Sequence, residues 1–207
     1  MDPIPAILIT GLSSAAKIRC SVALAAARPG GECWAILDND TGELTQLAGA
    51  QLRVATVTGC MCCSGQVALQ TGLVQLIRRS RPQRLIIVAA GAAEPAALQR
   101  ALQQEHLVRA VQISHCLCVV AVEQMTTLPP AAHDLWLQQL LAADFVVAAD
   151  DARAQSLNAK LTASGITGKR AVSSAEVLRA VLPPLVATAA APRFARQVTQ
   201  NHAKNMA

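Results

Sequence analysis

The chain has 207 residues, is 53% apolar and carries a net charge of +5 at pH 7. That length suits one domain with a full core, and no apolar run approaches the roughly 18 residues of a membrane span. With two Phe, two Trp and no Tyr there are no aromatic platforms on which bases could stack, and the scattered arginines read as a solvated surface, so neither nucleic acid nor a membrane is an expected partner.

The N-terminus, Met1-Asp2-Pro3-Ile4-Pro5, shows no basic stretch followed by a hydrophobic one, so a cytoplasmic setting is expected. Ile4 to Thr10 is a short apolar run that stops at Gly11 and reads as a buried strand. Ala15 to Ala27 reads as a helix, ended by Arg28-Pro29-Gly30-Gly31. Cys33 to Leu37 is a second strand, Asp38 to Gly42 a polar loop, and Leu52 to Val57 a third strand. Val67, Leu69, Leu73, Leu76 and Ile77 recur at helical spacing between Gln66 and Arg79, before Pro82. Leu85 to Ala89 is continuously apolar, as a central parallel strand should be. A helix from Pro95 to about Gln104, a strand from Cys116 to Val122, a helix from Ala131 to Ala142, a strand from Phe145 to Ala149 and a helix from Ala152 to Ala163 follow. Gly165 closes that last helix, and Ser173 or Ser174 caps one ending at Leu182. Strand and helix alternate throughout, which predicts an α/β fold with a mostly parallel sheet and helices on both faces. Residues 1–186 are assigned to this domain and the basic, Ala-rich residues 187–207 to a loose tail.

Gly11-Leu12-Ser13-Ser14-Ala15-Ala16-Lys17-Ile18 joins the first strand to the first helix. A phosphate-binding loop at that place reads G-x-x-x-x-G-K-[ST], and its backbone N–H groups together with the helix N-terminus cradle phosphates. Gly11 and Lys17 fit, with Ser13 and Ser14 between them as further candidates. Ala16 stands where the second glycine belongs, and Ile18 offers no oxygen for Mg²⁺. A partial phosphate site and an ordinary strand–loop–helix turn with a solvated lysine both remain open here.

The most specific feature is Gly59-Cys60-Met61-Cys62-Cys63-Ser64. Three thiols within four positions suit one soft cation such as Zn²⁺ or Cu(I). Zinc ordinarily takes four donors, so the shell is one short; Asp40, Glu43, a histidine such as His115, or water could complete it. A redox pair and a buried structural group are the other readings of these cysteines. Cys116-Leu117-Cys118 could turn two thiols to one side of a strand, although small buried cysteines in a core are commoner.

In this order the segments resemble the CobW-type P-loop GTPases, a family linked to metal delivery and cobalamin metabolism, over Ile4 to Leu182. The family writes them approximately as GFLGAGKTT, NEFGE, GCICC and IIETTGLADP. Asn39, Gly42 and Glu43 match the second, with Asp40 in place of a glutamate; Gly59, Cys60, Cys62 and Cys63 match the third in full. Ser14, Ala16, Ile18 and Arg19 depart from the first, Ala89 and Ala90 from the Glu-Thr of the fourth, and Glu123 replaces an aspartate. After Phe145-Val146-Val147, where the guanine-reading N-K-x-D segment is due, stands Ala148-Ala149-Asp150-Asp151-Ala152, and the family's smaller C-terminal domain is not seen after Leu182.

The resemblance implies a P-loop NTPase-like fold and a metallochaperone or metal-homeostasis role. Zinc is the expected metal, with cobalt or another soft divalent ion as alternatives, and a client metalloprotein the expected partner. GTP and Mg²⁺ would be handled by a degenerate site. Two other readings stand beside it: a slow GTPase coupled to metal transfer, and a non-catalytic scaffold with structural cysteines.

Overall fold

The structure is a computed structural model and describes residues 2–58 and 66–182. The strands are β1 (Ile4–Thr10), β2 (Trp34–Asp38), β3 (Leu52–Thr56), β4 (Arg84–Val88), β5 (Val111–Val120), β6 (Phe145–Ala148) and β7 (Ala171–Val172). The helices are α1 (Ser14–Ala26), α2 (Gln66–Ser80), α3 (Pro95–Leu102), α4 (Glu105–Val108), α5 (Gln124–Thr127), α6 (Pro130–Ala142), α7 (Ala154–Ala163) and α8 (Ser174–Val181). The strands form one sheet in the order β3-β2-β4-β1-β5-β6-β7, and every pairing between them is parallel. The expected mostly parallel sheet is therefore parallel throughout.

Its central strands are apolar on both faces because both faces are covered. On one face Ala6, Leu8, Leu37, Ile87, Cys116 and Cys118 pack under α2, α3, α6 and α7, through side chains such as Leu73, Leu98, Trp136 and Leu157. On the other, Ile7, Ile9, Ile36, Val88, Leu117 and Val119 pack under α1 and α8, through Leu24, Val177 and Val181. In α2, Leu69, Leu73 and Leu76 face the core while Val67 is 71% exposed. Two residues along a helix turn the side chain by about 200°, which carries Val67 off the apolar stripe that begins at Leu69.

β5 begins at Val111, five residues before the expected start, and pairs with β1 from Ile4↔Val111 onward. The register slips between Ala6 and Ile7, leaving Ser114 unpaired in the ladder with its hydroxyl donating to Ala6 O. This bulge interrupts the apolar alternation and hides the first half of the strand from a pattern search. The Cys116 and Cys118 thiols are fully buried core groups, and burial pushes both above their usual range, Cys118 to about 12. Ser173 is the N-cap of α8, its hydroxyl accepting from the N–H of Glu176, whose carboxylate accepts in return from the N–H of Ser173. Among the described residues no helix is long and apolar enough to cross a membrane. The expected tail, residues 187–207, lies outside the described residues.

Candidate functional site

The C-terminal ends of parallel strands gather the loops that can hold a ligand, and the segments after β1, β2 and β4 meet there. β1 delivers Gly11, whose φ is +132° and which has no space for a side chain beside β5: a Cβ on Gly11 would lie 2.3 Å from the carbonyl oxygen of Val119. The chain then turns through Leu12 and Ser13, and α1 starts at Ser14. Ser13 is its N-cap, accepting from the N–H of Ala16 at 3.3 Å, and the Lys17 N–H donates to Ser13 O at 3.0 Å. Ser14 joins the helix one residue before the expected start at Ala15, and the first-turn N–H of Ala16 already has a partner.

Lys17 points inward and is wholly buried. Its Nζ donates to the backbone oxygen of Ala89 at 2.7 Å, at the end of β4, and lies 3.1 Å from Oδ2 of Asp40. Burial lowers its pKa, against the pull of the Asp40 and Asp38 carboxylates. The solvated lysine of an ordinary strand–loop–helix turn, one of the two open readings, is therefore not found: Lys17 is internal.

The loop after β2 brings Asp40 there by fixed contacts. Asp38 Oδ1 accepts from the N–H of Asp40 at 2.9 Å and Oδ2 from that of Leu44 at 3.4 Å. The Asn39 N–H donates to Val88 O, and its side-chain amide donates to Val57 O at 2.7 Å. Of the two carboxylates named as further metal ligands, Asp40 sits against Lys17 with its side chain 8% exposed. Glu43 is exposed at the start of a short 3₁₀ turn, Glu43–Leu47.

Cys60, Cys62 and Cys63 lie outside the described residues. The chain leading to them is placed: the Val57 N–H donates to Asp38 O at 2.9 Å, and α2 packs across β2 and β3. His115 is elsewhere, in the middle of β5 with its ring 6.0 Å from that of Phe145, and three strands separate β5 from β3. Among the described residues no group of three or more His, Cys, Asp or Glu side chains could hold a metal ion.

A cavity of about 540 Å³ opens beside α1, over the ends of β5 and β6. Arg19, Cys20, Val119, Ala149, Asp151 and Ser174 contribute to its wall. Asp150 caps a 3₁₀ turn through the N–H of Ala152 at 3.0 Å, and Asp151 Oδ1 accepts from the Ser174 N–H at 2.7 Å. Burial pushes the Cys20 thiol up to about 12. Sequence reasoning registered Arg19, Asp150 and Asp151 only as departures from a motif. Their signal was positional, since they lie directly after a strand in an alternating α/β order.

Comparison with known proteins agrees with this layout. The chain is 31% identical over 147 residues to the zinc chaperone YeiR of Escherichia coli, a match covering 68% of this chain and 44% of that protein. The chain thus spans less than half of that relative's length. Among solved structures it resembles nickel-bound HypB of Helicobacter pylori, with a TM-score of 0.53 at 10% identity, over 97% of this chain and 87% of that one. It also resembles a zinc-bound triple mutant of the YjiA GTPase, with a TM-score of 0.55 at 16% identity, over 84% and 58% of the two chains. These two likenesses speak for the fold. The family model for the CobW/HypB/UreG nucleotide-binding domain matches residues 5–170, and the chain belongs to that family.

Proposed function

We propose that this protein is a metallochaperone-like metal carrier that binds zinc through Cys60, Cys62 and Cys63 and no longer turns over GTP. The observation that supports it is a contrast. The cysteine motif keeps all three thiols, while Lys17, the one charged group of the phosphate loop, is buried against Asp40 and Ala89. The likeness to a zinc chaperone favours zinc over cobalt or another soft divalent ion. A three-thiol shell with one exchangeable position suits a carrier that must hand its metal to a client metalloprotein. Such a transfer fits a cytoplasmic protein, where thiols stay reduced.

The residues present do not fit Mg²⁺ beside the phosphate loop. Ile18, at the position that ordinarily supplies a hydroxyl to the ion, has no side-chain oxygen. A second reading, slow GTP turnover coupled to metal transfer, draws on the cavity of about 540 Å³ at the strand ends, which keeps room for part of a nucleotide.

The test is zinc content and affinity of the reduced protein against a competing chelator, beside a Cys60→Ser/Cys62→Ser/Cys63→Ser variant, with GTP turnover measured in parallel. The proposal expects about one zinc per chain, lost in the variant, and no turnover. Turnover that disappears in Lys17→Ala would favour the second reading. Equal metal content in parent and variant would leave a scaffold with structural thiols.

A further inference from the structure

We infer that Arg53, Arg78, Arg79 and Arg81 form a docking surface for a carboxylate-rich segment of a partner protein. They lie at the N-terminal end of the strands, away from the site described above, and the surface stands whether or not the protein carries zinc.

The fold gathers these four from two elements. α2 packs across β2 and β3 and ends at Ser80 beside the start of β2, where the Cys33 thiol donates to Ser80 O at 3.4 Å and the Gln83 N–H donates to Cys33 O at 2.8 Å. Arg78 and Arg79 stand in its last turn, and Arg81 follows it. Arg53 is the second residue of β3, opposite Ala35 of β2. It shares a sheet face with Ala55, which packs in the cluster under α2. From strand rise and spacing, Arg53 lies about 8 Å from Cys33 between Cα atoms. All four arginines are exposed, and among the described residues none of the four is ion-paired.

The negative end of α2 would account for Arg78 and Arg79 alone. It does not account for Arg53, on another element, nor for an arginine at position 81. Arg81 has a φ of +43°, and no other non-glycine among the described residues has a positive φ. Glycine takes such a helix-end position with less steric strain. The turn is also fixed in advance: the Arg81 N–H donates to Ile77 O at 2.8 Å, and Pro82 is buried behind it.

The protein's own carboxylates leave this end uncompensated. Asp40 and Glu43 follow β2, Glu94 follows β4, Glu123 follows β5 and Asp150 follows β6, all at the other end of the strands. Glu32, next to Cys33, accepts from Trp34 Nε1 at 2.6 Å on the sheet face opposite α2. Guanidinium forks take carboxylates two bonds at a time. Stacked bases would need aromatic faces, whereas Trp34, Trp136 and Phe145 pack into the core. A lipid surface would need apolar side chains beside the charges, whereas the exposed large ones belong to α1, α4, α6 or the far end of α2.

Fluorescence anisotropy of the whole reduced chain with a labelled oligoglutamate peptide tests this, beside its oligoglutamine counterpart, at low and at physiological salt. Arg53→Gln/Arg78→Gln/Arg79→Gln/Arg81→Gln is expected to bind oligoglutamate at least about tenfold more weakly than the parent. Arg100→Gln/Arg153→Gln/Arg170→Gln/Arg179→Gln removes the same charge elsewhere and is expected to lose less than about twofold. Arg81→Gly alone should weaken binding by about two- to fivefold while raising Tm, because it relieves the left-handed strain. It keeps the test decisive if the fourfold variant does not fold, since a purely structural arginine would move Tm alone.

The inference is overturned if the parent binds both peptides alike, if both fourfold variants lose alike, or if Arg81→Gly binds as the parent does. Duplex DNA or phosphatidylserine vesicles that displace the peptide at a lower charge concentration would put a nucleic acid or a membrane in place of the protein partner, and overturn it as well. All of these outcomes can be read on the Cys60→Ser/Cys62→Ser/Cys63→Ser variant, so failure of the zinc reading leaves them standing.

Discussion

Replacing Gly11 with alanine tests whether this glycine serves the fold before it serves any ligand. Its φ of +132° is a conformation that costs a side-chain-bearing residue about 1–3 kcal/mol. The added Cβ would also lie 2.3 Å from Val119 O, about 1 Å inside an ordinary carbon–oxygen contact of about 3.3 Å. Relief requires moving a carbonyl in β5, a strand paired on both sides, at about 1–3 kcal/mol for an overpacked interior. The sum is about 2–6 kcal/mol. At about 2–4 °C per kcal/mol for a chain of this size, Tm should fall by roughly 10 °C. Gly31→Ala is the control: its φ is +87° with nothing within 4 Å of the added Cβ, so only the conformational cost applies. Thermal and urea denaturation of the metal-free, nucleotide-free protein would read both. Equal losses in the two variants, or a fall under about 2 °C for Gly11→Ala, would refute the packing argument.

The Lys17–Asp40 pair, with side chains 0% and 8% exposed, should cost about 3–5 kcal/mol when either partner is removed alone, and Lys17→Met with Asp40→Ala should cost less than the sum by more than about 1 kcal/mol in urea denaturation. Cys20 is held near 12 by burial, so about one thiol in ten thousand is ionised at pH 8; native iodoacetamide labelling followed by mass spectrometry should spare Cys20, Cys116 and Cys118 while modifying the half-buried Cys33. Glu176 is held down to about 2 by the Ser173 N–H, then by the Arg170 guanidinium and the Ser173 hydroxyl. Because its folded-state pKa is depressed, the stability it contributes is present above the unfolded value and is lost as pH falls through that value towards 2. The Tm gap between the parent and Glu176→Gln should therefore close across that window. Ser173→Ala should cost about 1 kcal/mol at neutral pH.

Much of the sheet was legible because its central strands are continuous apolar runs. Ile4–Thr10 and Arg84–Val88 were found within a residue or so. The two-residue β7 and the four-residue α4 and α5 are too short to carry a period, so tertiary contacts alone define them. At the site, the spacing from Gly11 to Lys17 was readable, and so was the start of α1 to within a residue. The direction of Lys17 was not, because the same spacing suits a lysine in solvent or one buried against Ala89 and Asp40. Asp40 read as a loop carboxylate free to ligate metal. Its bond to Lys17 joins residues 23 positions apart on different elements, and no local pattern encodes such a contact.

The place of β1 has a consequence for how the chain is made. Its partners are β4 and β5, beginning at Arg84 and Val111, whereas β2 finds β3 soon after it appears. At about 5–20 residues per second of synthesis, the Ile4–Thr10 segment spends seconds outside the ribosome with neither edge satisfied. The nascent protein therefore passes through an interval in which an apolar strand has neither neighbour, and a holding chaperone would have the most to offer before Val120 emerges.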